Sequence, residues 1–314
     1  MIVGWIRSAI TRINQKATSQ TGCLIISHGK DAILRPSARG YQSGNYLRPT
    51  TRVLCCASSI RWIHPNFRPP HNDPNTYCLG TVCHHKVVAT CLPAGEYGNN
   101  SATDVASNMK RSFSRSFRLL VGIGGGVPTK EDIRLGDVVV SKRTRQNPAI
   151  IQCDEEKVLG NGVSQQIEYL NLPPRELMTA LSNLQSDPHL SKAPLQEYLD
   201  VIASFNSDYR YPGTELDRLF SSSSIHIDGY DHCDNYDPSY LHFRRQRLST
   251  HPIIHYGLIA SANKMEAAGV VNTIPCLVIR GICDHSDCHK NKRFQNYAAA
   301  SAESFAKLLL SYVT

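Results

Sequence analysis

Pro275-Cys276-Leu277-Val278-Ile279-Arg280-Gly281-Ile282-Cys283-Asp284-His285-Ser286-Asp287 is the stretch that decides the fold. Its first six residues are a short, β-branched apolar run bounded by Pro and Gly, the pattern of a buried strand. Two carboxylates, Asp284 and Asp287, follow where such a strand leaves its sheet. In open α/β sheets ligands bind at that edge. Ten residues before Cys276 stands Glu266, within Met265-Glu266-Ala267-Ala268-Gly269.

Working outward, strands and helices interleave. Thr76–Val82 and Lys86–Leu92 read as a hairpin around Cys83-His84-His85. Asn99 and Asn100 offer N-caps to a helix over roughly 101–111. Phe117–Val121 is a strand running into the glycine loop Gly122–Gly126. Further strands are expected over 133–142 with its entry turn, 149–152 and 253–260. Helices are expected from Pro173 to about Leu184, over about 195–205, from Met265 to Val271, and over 294–313, where Ala298, Ala302, Phe305, Leu309 and Tyr312 recur at helical spacing. Residues 206–250 are polar, aromatic and Asp-rich, and read as a long surface insertion. This alternation predicts an α/β layered fold.

Of the 314 residues 41% are apolar, enough for a substantial core, and no apolar run approaches the ~20 residues that span a bilayer. The expectation is a soluble, cytoplasmic protein. The net charge of +8 is unevenly placed. Residues 1–70 hold ten Lys or Arg against Asp31 alone, net +9, and the other 244 hold 24 basic and 25 acidic groups, net −1. The body is neutral, which argues against a nucleic-acid face. Residues 1–70 form a separate segment from the domain at 71–314, with order expected from near Asn75. Three readings fit that basic segment: a disordered arm, an Arg-rich mitochondrial transit peptide, or a segment disturbed by a retained intron or frame slip. Eleven cysteines show no regular framework, and without a secretory apolar region most read as reduced.

The carboxylates suggest a chemistry. A nucleobase leaves readily when its ring nitrogen is protonated as the bond breaks, and a carboxylic acid in a dry pocket can give that proton, a role for Asp284. Asp is also a common cap. A ribose-like sugar gains positive charge in the transition state, and a carboxylate gripping its diol stabilises that charge, a role for Glu266. Equally, an acid in a helix's first turn favours the helix dipole. Gly122–Gly126 lacks the dinucleotide spacing, and its glycines, Gly124 and Gly125 among them, would let backbone approach a flat base. Gly98-Asn99-Asn100-Ser101 at a helix start fits an anion site or simple capping. Asp287 reads as a cap or a partner of Arg280. No metal is expected: Cys283 and Cys288, with His285 and His289, lack paired zinc spacing, and His226–Asp237 lacks an ordered calcium-loop pattern.

Five stretches in register resemble the fungal branch of the purine nucleoside phosphorylase and uridine phosphorylase superfamily: Leu92–Ser101, Val121–Pro128, Leu135–Ser141, Met265–Gly269 and Val278–Asp287. The resemblance extends from about Asn75 to the C-terminus. In fungi such domains often head multidomain immune-receptor-like proteins. The resemblance implies a three-layer α/β/α fold with a mixed central sheet, a homo-oligomer, and cleavage of the N-glycosidic bond of purine nucleosides or nucleotides by phosphate or water. It implies that Asp284 meets the N7 side of the base, Glu266 the sugar hydroxyls, Met265 the sugar, Gly124 and Gly125 the base, and the loop with Gly98, Asn99 and Ser101 the acceptor. No cofactor is implied; phosphate can serve as co-substrate. Two departures stand out. The family's first core strand and turn have no clear counterpart in residues 1–70, Met1–Ile6 being the best match. Between Asn263 and Met265 a helix and a strand, on the order of twenty residues, are missing. The alternative is therefore a nucleotide-binding sensor or interaction module without turnover.

Overall fold

The computed structural model describes residues 23–28, 61–64, 69, 72–93, 96, 98–114, 116–128, 131–145, 148–152, 156–158, 164–166, 170–187, 193–221, 224, 237–261, 266–287, 289 and 292–314. Along the chain run β1 (Cys23–His28), β2 (Arg61–His64), β3 (Cys78–Val82), β4 (His85–Cys91), α1 (Asn99–Ser112), β5 (Ser116–Gly125) and β6 (Val138–Ser141). Then come β7 (Ile150–Gln152), β8 (Glu156–Val158), β9 (Ser164–Gln166), α2 (Arg175–Ser186) and α3 (Ala193–Phe205). The chain ends with β10 (Ile254–Gly257), β11 (Ile259–Ser261), α4 (Glu266–Thr273), β12 (Leu277–Asp284) and α5 (Gln295–Leu310).

Eight strands form one mixed sheet in the order β10-β6-β12-β5-β1-β4-β3-β2. β12 runs parallel to β5 and antiparallel to β6, and β1 runs antiparallel to both β4 and β5. The alternation of a pleated strand decides the layers. Leu120, Val278 and Val88 turn to one face, where α1 and α4 pack through Ala102, Ala106, Met109, Ala267, Ala268 and Val271. Leu119, Leu277, Ile279 and Val87 turn to the other, against Leu177, Leu181 and Leu184 of α2 and Phe305 and Leu309 of α5. The result is the expected three-layer α/β/α arrangement. Phe305 and Leu309 are almost fully buried, each worth about 1.5–3 kcal/mol of transfer free energy.

Every residue of β12 is buried, as its apolar run predicts. It lies so close to α5 that a Cβ at Gly281 would sit 1.8 Å from the Ala298 carbonyl oxygen. Gly269 is equally constrained on the other face: a Cβ there would meet the carbonyl oxygen of Asn99 at 2.3 Å.

Several elements differ from the sequence reading. Order does not wait for Asn75: β1 sits inside the sheet between β4 and β5, and β2 pairs with β3 at the edge. β1 is an apolar run, Cys23-Leu24-Ile25-Ile26, framed by Gly22 and Gly29, a strand signal masked by its Arg-rich surroundings. Met1–Ile6 lies outside the described residues. The glycines from Gly122 to Gly125 do not form a loop; β5 continues through them, paired with β12 as far as Gly125. The strand expected over 253–260 divides at Leu258. Its first half pairs with β6, and its second, β11, pairs with β7 in a separate two-stranded sheet. A three-residue strand therefore does precede the Met265–Gly269 segment.

Candidate active site

The C-terminal ends of β4, β5 and β12 share one edge of the sheet, because β1 is antiparallel to both of its neighbours and β12 is parallel to β5. From the end of β4 the chain passes to Gly98 and α1. α4 precedes β12 and packs its Gly269 on Asn99, so its N-terminal turn lies at the same edge. Topology thus gathers Gly98, Asn99 and Ser101, Gly124 and Gly125, Asp284 and the backbone of Glu266. The side chain of Glu266, and Met265, lie outside the described residues.

Asp284 is buried at 7% exposure. A register shift between Ile282 and Asp284 sets it opposite Gly125. A Cβ on Gly125 would collide first with Ser286 Oγ and then with Asp284 Oδ1 at 2.5 Å, so the hydroxyl and the carboxylate together occupy the space a side chain there would need. Oδ1 accepts the Ser286 N–H at 2.9 Å, and the Cys283 thiol lies 3.5 Å from Oδ2. Ser286 adopts a left-handed φ of 56° to close this turn. This bond closes a local turn and is no helix cap, since the next helix, α5, has Phe294 at its N-cap. Asp287 accepts the N–H of His289 at 2.9 Å, and burial pushes its carboxyl above the ordinary range against the pull of His285 and His289. Arg280 is buried on β12 with its stem beside Gly124, its Cβ 3.7 Å from where a Cβ on Gly124 would stand.

At the head of α1 the expected asparagine caps are not formed. Gly98, with φ 93°, takes the N-cap position with no side-chain cap bond. The Asn99 side chain instead accepts the Gly269 N–H at 3.1 Å, tying α1 to α4. Ser101 Oγ donates to Glu96 Oε2 at 2.7 Å.

Two buried aspartates brace this edge. Asp137, beside the turn before β6, accepts from Arg247 Nη1 and Nη2 at 2.7 and 2.8 Å and from the N–H groups of Ile253 and Arg134 at 2.9 Å, and meets His255 Nε2 at 2.9 Å. Burial alone would raise its pKa, but these bonds together hold it below the usual carboxylate range. Asp217 meets Arg244 Nη2 at 2.9 Å and His285 Nε2 at 3.1 Å, and it too is held low against its burial by His285 and Arg244. Asp217, Arg244 and Arg247 belong to the segment read as a surface insertion; most of its described residues are exposed or half-buried, but these three side chains reach in to the sheet edge. Sequence reasoning missed them because pairs such as Arg247 and Asp137, 110 residues apart, leave no local pattern. Among the described residues no group of three or more His, Cys, Asp or Glu side chains could hold a metal ion, and no helix is long and apolar enough to cross a membrane. Cys288 and residues 225–236 lie outside the described residues.

No protein-family model matches the chain. A nucleotide-binding leucine-rich repeat (NLR)-like protein of Hyaloscypha variabilis is 35% identical over 310 residues, a match covering 90% of this chain and 30% of that protein. The chain therefore spans under a third of the length of this curated relative. Among solved structures, a protein of Borrelia burgdorferi assigned as a 5′-methylthioadenosine/S-adenosylhomocysteine nucleosidase and bound to adenine aligns with a TM-score of 0.50 and 13% identity, over 84% of this chain and 96% of that one. The same type of nucleosidase from Neisseria meningitidis, with methylthio-immucillin-A, aligns at 0.47 and 14% over 83% and 94%. Futalosine hydrolase of Helicobacter pylori aligns at 0.45 and 13% over 83% and 93%. The mixed sheet between two helical layers is thus the α/β fold of that Borrelia burgdorferi structure.

Proposed function

We propose that this domain cleaves the N-glycosidic bond of purine nucleosides or nucleotides, with water or phosphate as acceptor. The observation that carries the reading is Asp284: a buried carboxyl at the end of the central strand, set against Gly125 on the edge that also receives the first turns of α1 and α4. The fold shared with a nucleosidase bound to adenine supports a purine as the base.

In this reading Asp284 is the base-side acid. Its Oδ1 accepts a backbone N–H, and the Cys283 thiol beside Oδ2 has a second acceptor in the Gly124 carbonyl at 3.6 Å, which leaves Oδ2 for the transferable proton. As the bond from the sugar C1′ to the base nitrogen breaks, its electron pair goes to the base, and the Oδ2 proton passes to the N7 side. Glu266 holds the 2′- and 3′-hydroxyls and offsets the positive charge that develops on the sugar. Met265 packs on the sugar, and Gly124 and Gly125 wall the base. The acceptor oxygen attacks C1′ from the side of Gly98, Asn99 and Ser101 and loses a proton if it is water.

The test is chromatography of free base released from adenosine, inosine, guanosine and ATP, with and without phosphate. Release that requires phosphate means phosphorolysis, and release without it means hydrolysis. Asp284→Asn keeps the acceptor for Ser286 but has no acid proton; it should lower release by about 10²–10⁴-fold while the protein stays folded. An unimpaired Asp284→Asn protein would remove Asp284 from the mechanism.

The second reading, a nucleotide-binding sensor or interaction module, is favoured by the similarity to part of an NLR-like protein and by the short connection from β11 to α4. A folded chain that binds adenosine or ATP by calorimetry and releases no base would establish it.

A further inference from the structure

We infer that Asp217, acting through His285, is a positioning residue for Asp284; this rests on reading Asp284 as the base-side acid. Asp217 and His285 are both buried, with side-chain exposures of 3% and 2%. Asp217 Oδ1 meets His285 Nε2 at 3.1 Å, Arg244 Nη2 at 2.9 Å and the Leu135 N–H at 3.3 Å. Arg244 also donates to the Asp217 carbonyl at 2.6 Å and to that of Ile133 at 3.5 Å, so the carboxylate is itself fixed from two sides.

The bond defines the ring. An ionised carboxylate only accepts, so the proton between the two groups sits on Nε2. Nδ1 is buried and has no hydrogen-bond partner among the described residues. The orientation of the imidazole therefore depends on Asp217. His285 lies in the chain between Asp284 and Ser286, and the Ser286 N–H is the group that fixes Asp284 Oδ1. Ser286 holds a left-handed backbone that a residue with a side chain adopts only when its surroundings enforce it. Rotation at residue 285 would release both ends of this turn. One step earlier the strand is gripped separately: Gly136 N–H donates to the Ile282 carbonyl at 2.7 Å, and Ile282 N–H to the Asp137 carbonyl at 2.8 Å. The ends of the 206–250 segment thus supply the part of the clasp that reaches past the end of β12.

A direct contact between Nδ1 and a substrate is the rival role, and two substitutions separate them. In His285→Gln the side-chain amide stands in for Nε2 and can still donate to Asp217. In His285→Asn it stands in for Nδ1 and cannot reach. Two readouts are taken on the full chain: the kinetics of base release from the purine nucleoside that the unmodified protein turns over, and the exchange rate of the Ser286 amide by NMR. The expected result is that His285→Asn and Asp217→Asn lower kcat by about ten- to a hundredfold with KM within about twofold, while His285→Gln stays within about threefold of the unmodified protein. The reverse order of the two His285 variants, or an effect confined to KM, overturns the proposal. The amide measurement separates this failure from that of the proposed reaction. If no nucleoside is turned over, a Ser286 amide that exchanges at least about tenfold faster in His285→Asn than in His285→Gln still supports the clasp, and equal rates overturn it.

Discussion

At the scale of single residues, the site edge is set by places where there is no room. A Cβ at Gly281 would stand 1.8 Å from the Ala298 carbonyl, between the central strand and α5, and neither backbone can yield alone. Gly281→Ala should cost about 3 kcal/mol or more. At Gly269 the clash is with the Asn99 carbonyl at 2.3 Å, but alanine also favours a helix by about 1 kcal/mol, so the net loss should be smaller, about 1–2 kcal/mol. Urea unfolding of the two variants checks both the sign and the order. The candidate acid was legible in the sequence, because a carboxylate after a buried apolar strand marks a sheet edge. The partners of its neighbour His285 were not. Asp217, which His285 meets, and Arg244, which holds Asp217, are separated from it by long stretches of chain, and in sequence they read as charges on a solvated insertion. Asn99 was visible, but the cap expected of it is not formed, since a capping residue and a residue that accepts from a neighbouring helix look the same in one dimension.

Among the elements, α5 shows how a long-range contact finishes a helix. Its last carbonyls are met by the hairpin turn: His85 Nε2 lies 3.0 Å from the Leu310 oxygen and 3.1 Å from that of Val313, and His84 Nε2 is 2.8 Å from the latter. Burial, then the neighbouring His84, lowers the His85 pKa, and the two carbonyls only partly restore it. The unfolded chain therefore binds the proton first. The stabilisation is complete above the ordinary histidine pKa of about 6.5 and is lost as pH falls from there to the folded value. Amide exchange at residues 309–313, corrected for its intrinsic rate, should rise between about pH 7.5 and about pH 5.5, and His85→Gln should flatten that dependence. The hairpin itself was readable from its alternation. β1 was not, because a six-residue run surrounded by arginines does not outweigh the composition of its segment. The division of the strand at Leu258 was not readable either: an apolar run carries no mark of which sheet each half joins.

For the whole molecule, acid stability should rest on Asp137 and Asp217, both ionised below the usual carboxylate range despite burial. Their contribution is present above the unfolded carboxylate pKa of about 3.9 and is lost as pH falls through the lower folded values. Asp137→Asn removes the ionised acceptor of Arg247, His255 and two backbone N–H groups, while half-buried Arg247 keeps Asp132 at 3.4 Å; it should cost about 1–3 kcal/mol near neutrality, with a shallower loss of stability below about pH 4, measured by urea titration across pH. The position of β12 has a consequence for biosynthesis. This strand follows the other described strands of the sheet in the chain, yet it lies between β6 and β5, which emerge long before it. Until residue 284 is available the nascent chain holds two half-sheets with facing unpaired edges, so this domain should need a chaperone's shelter until β12 has emerged.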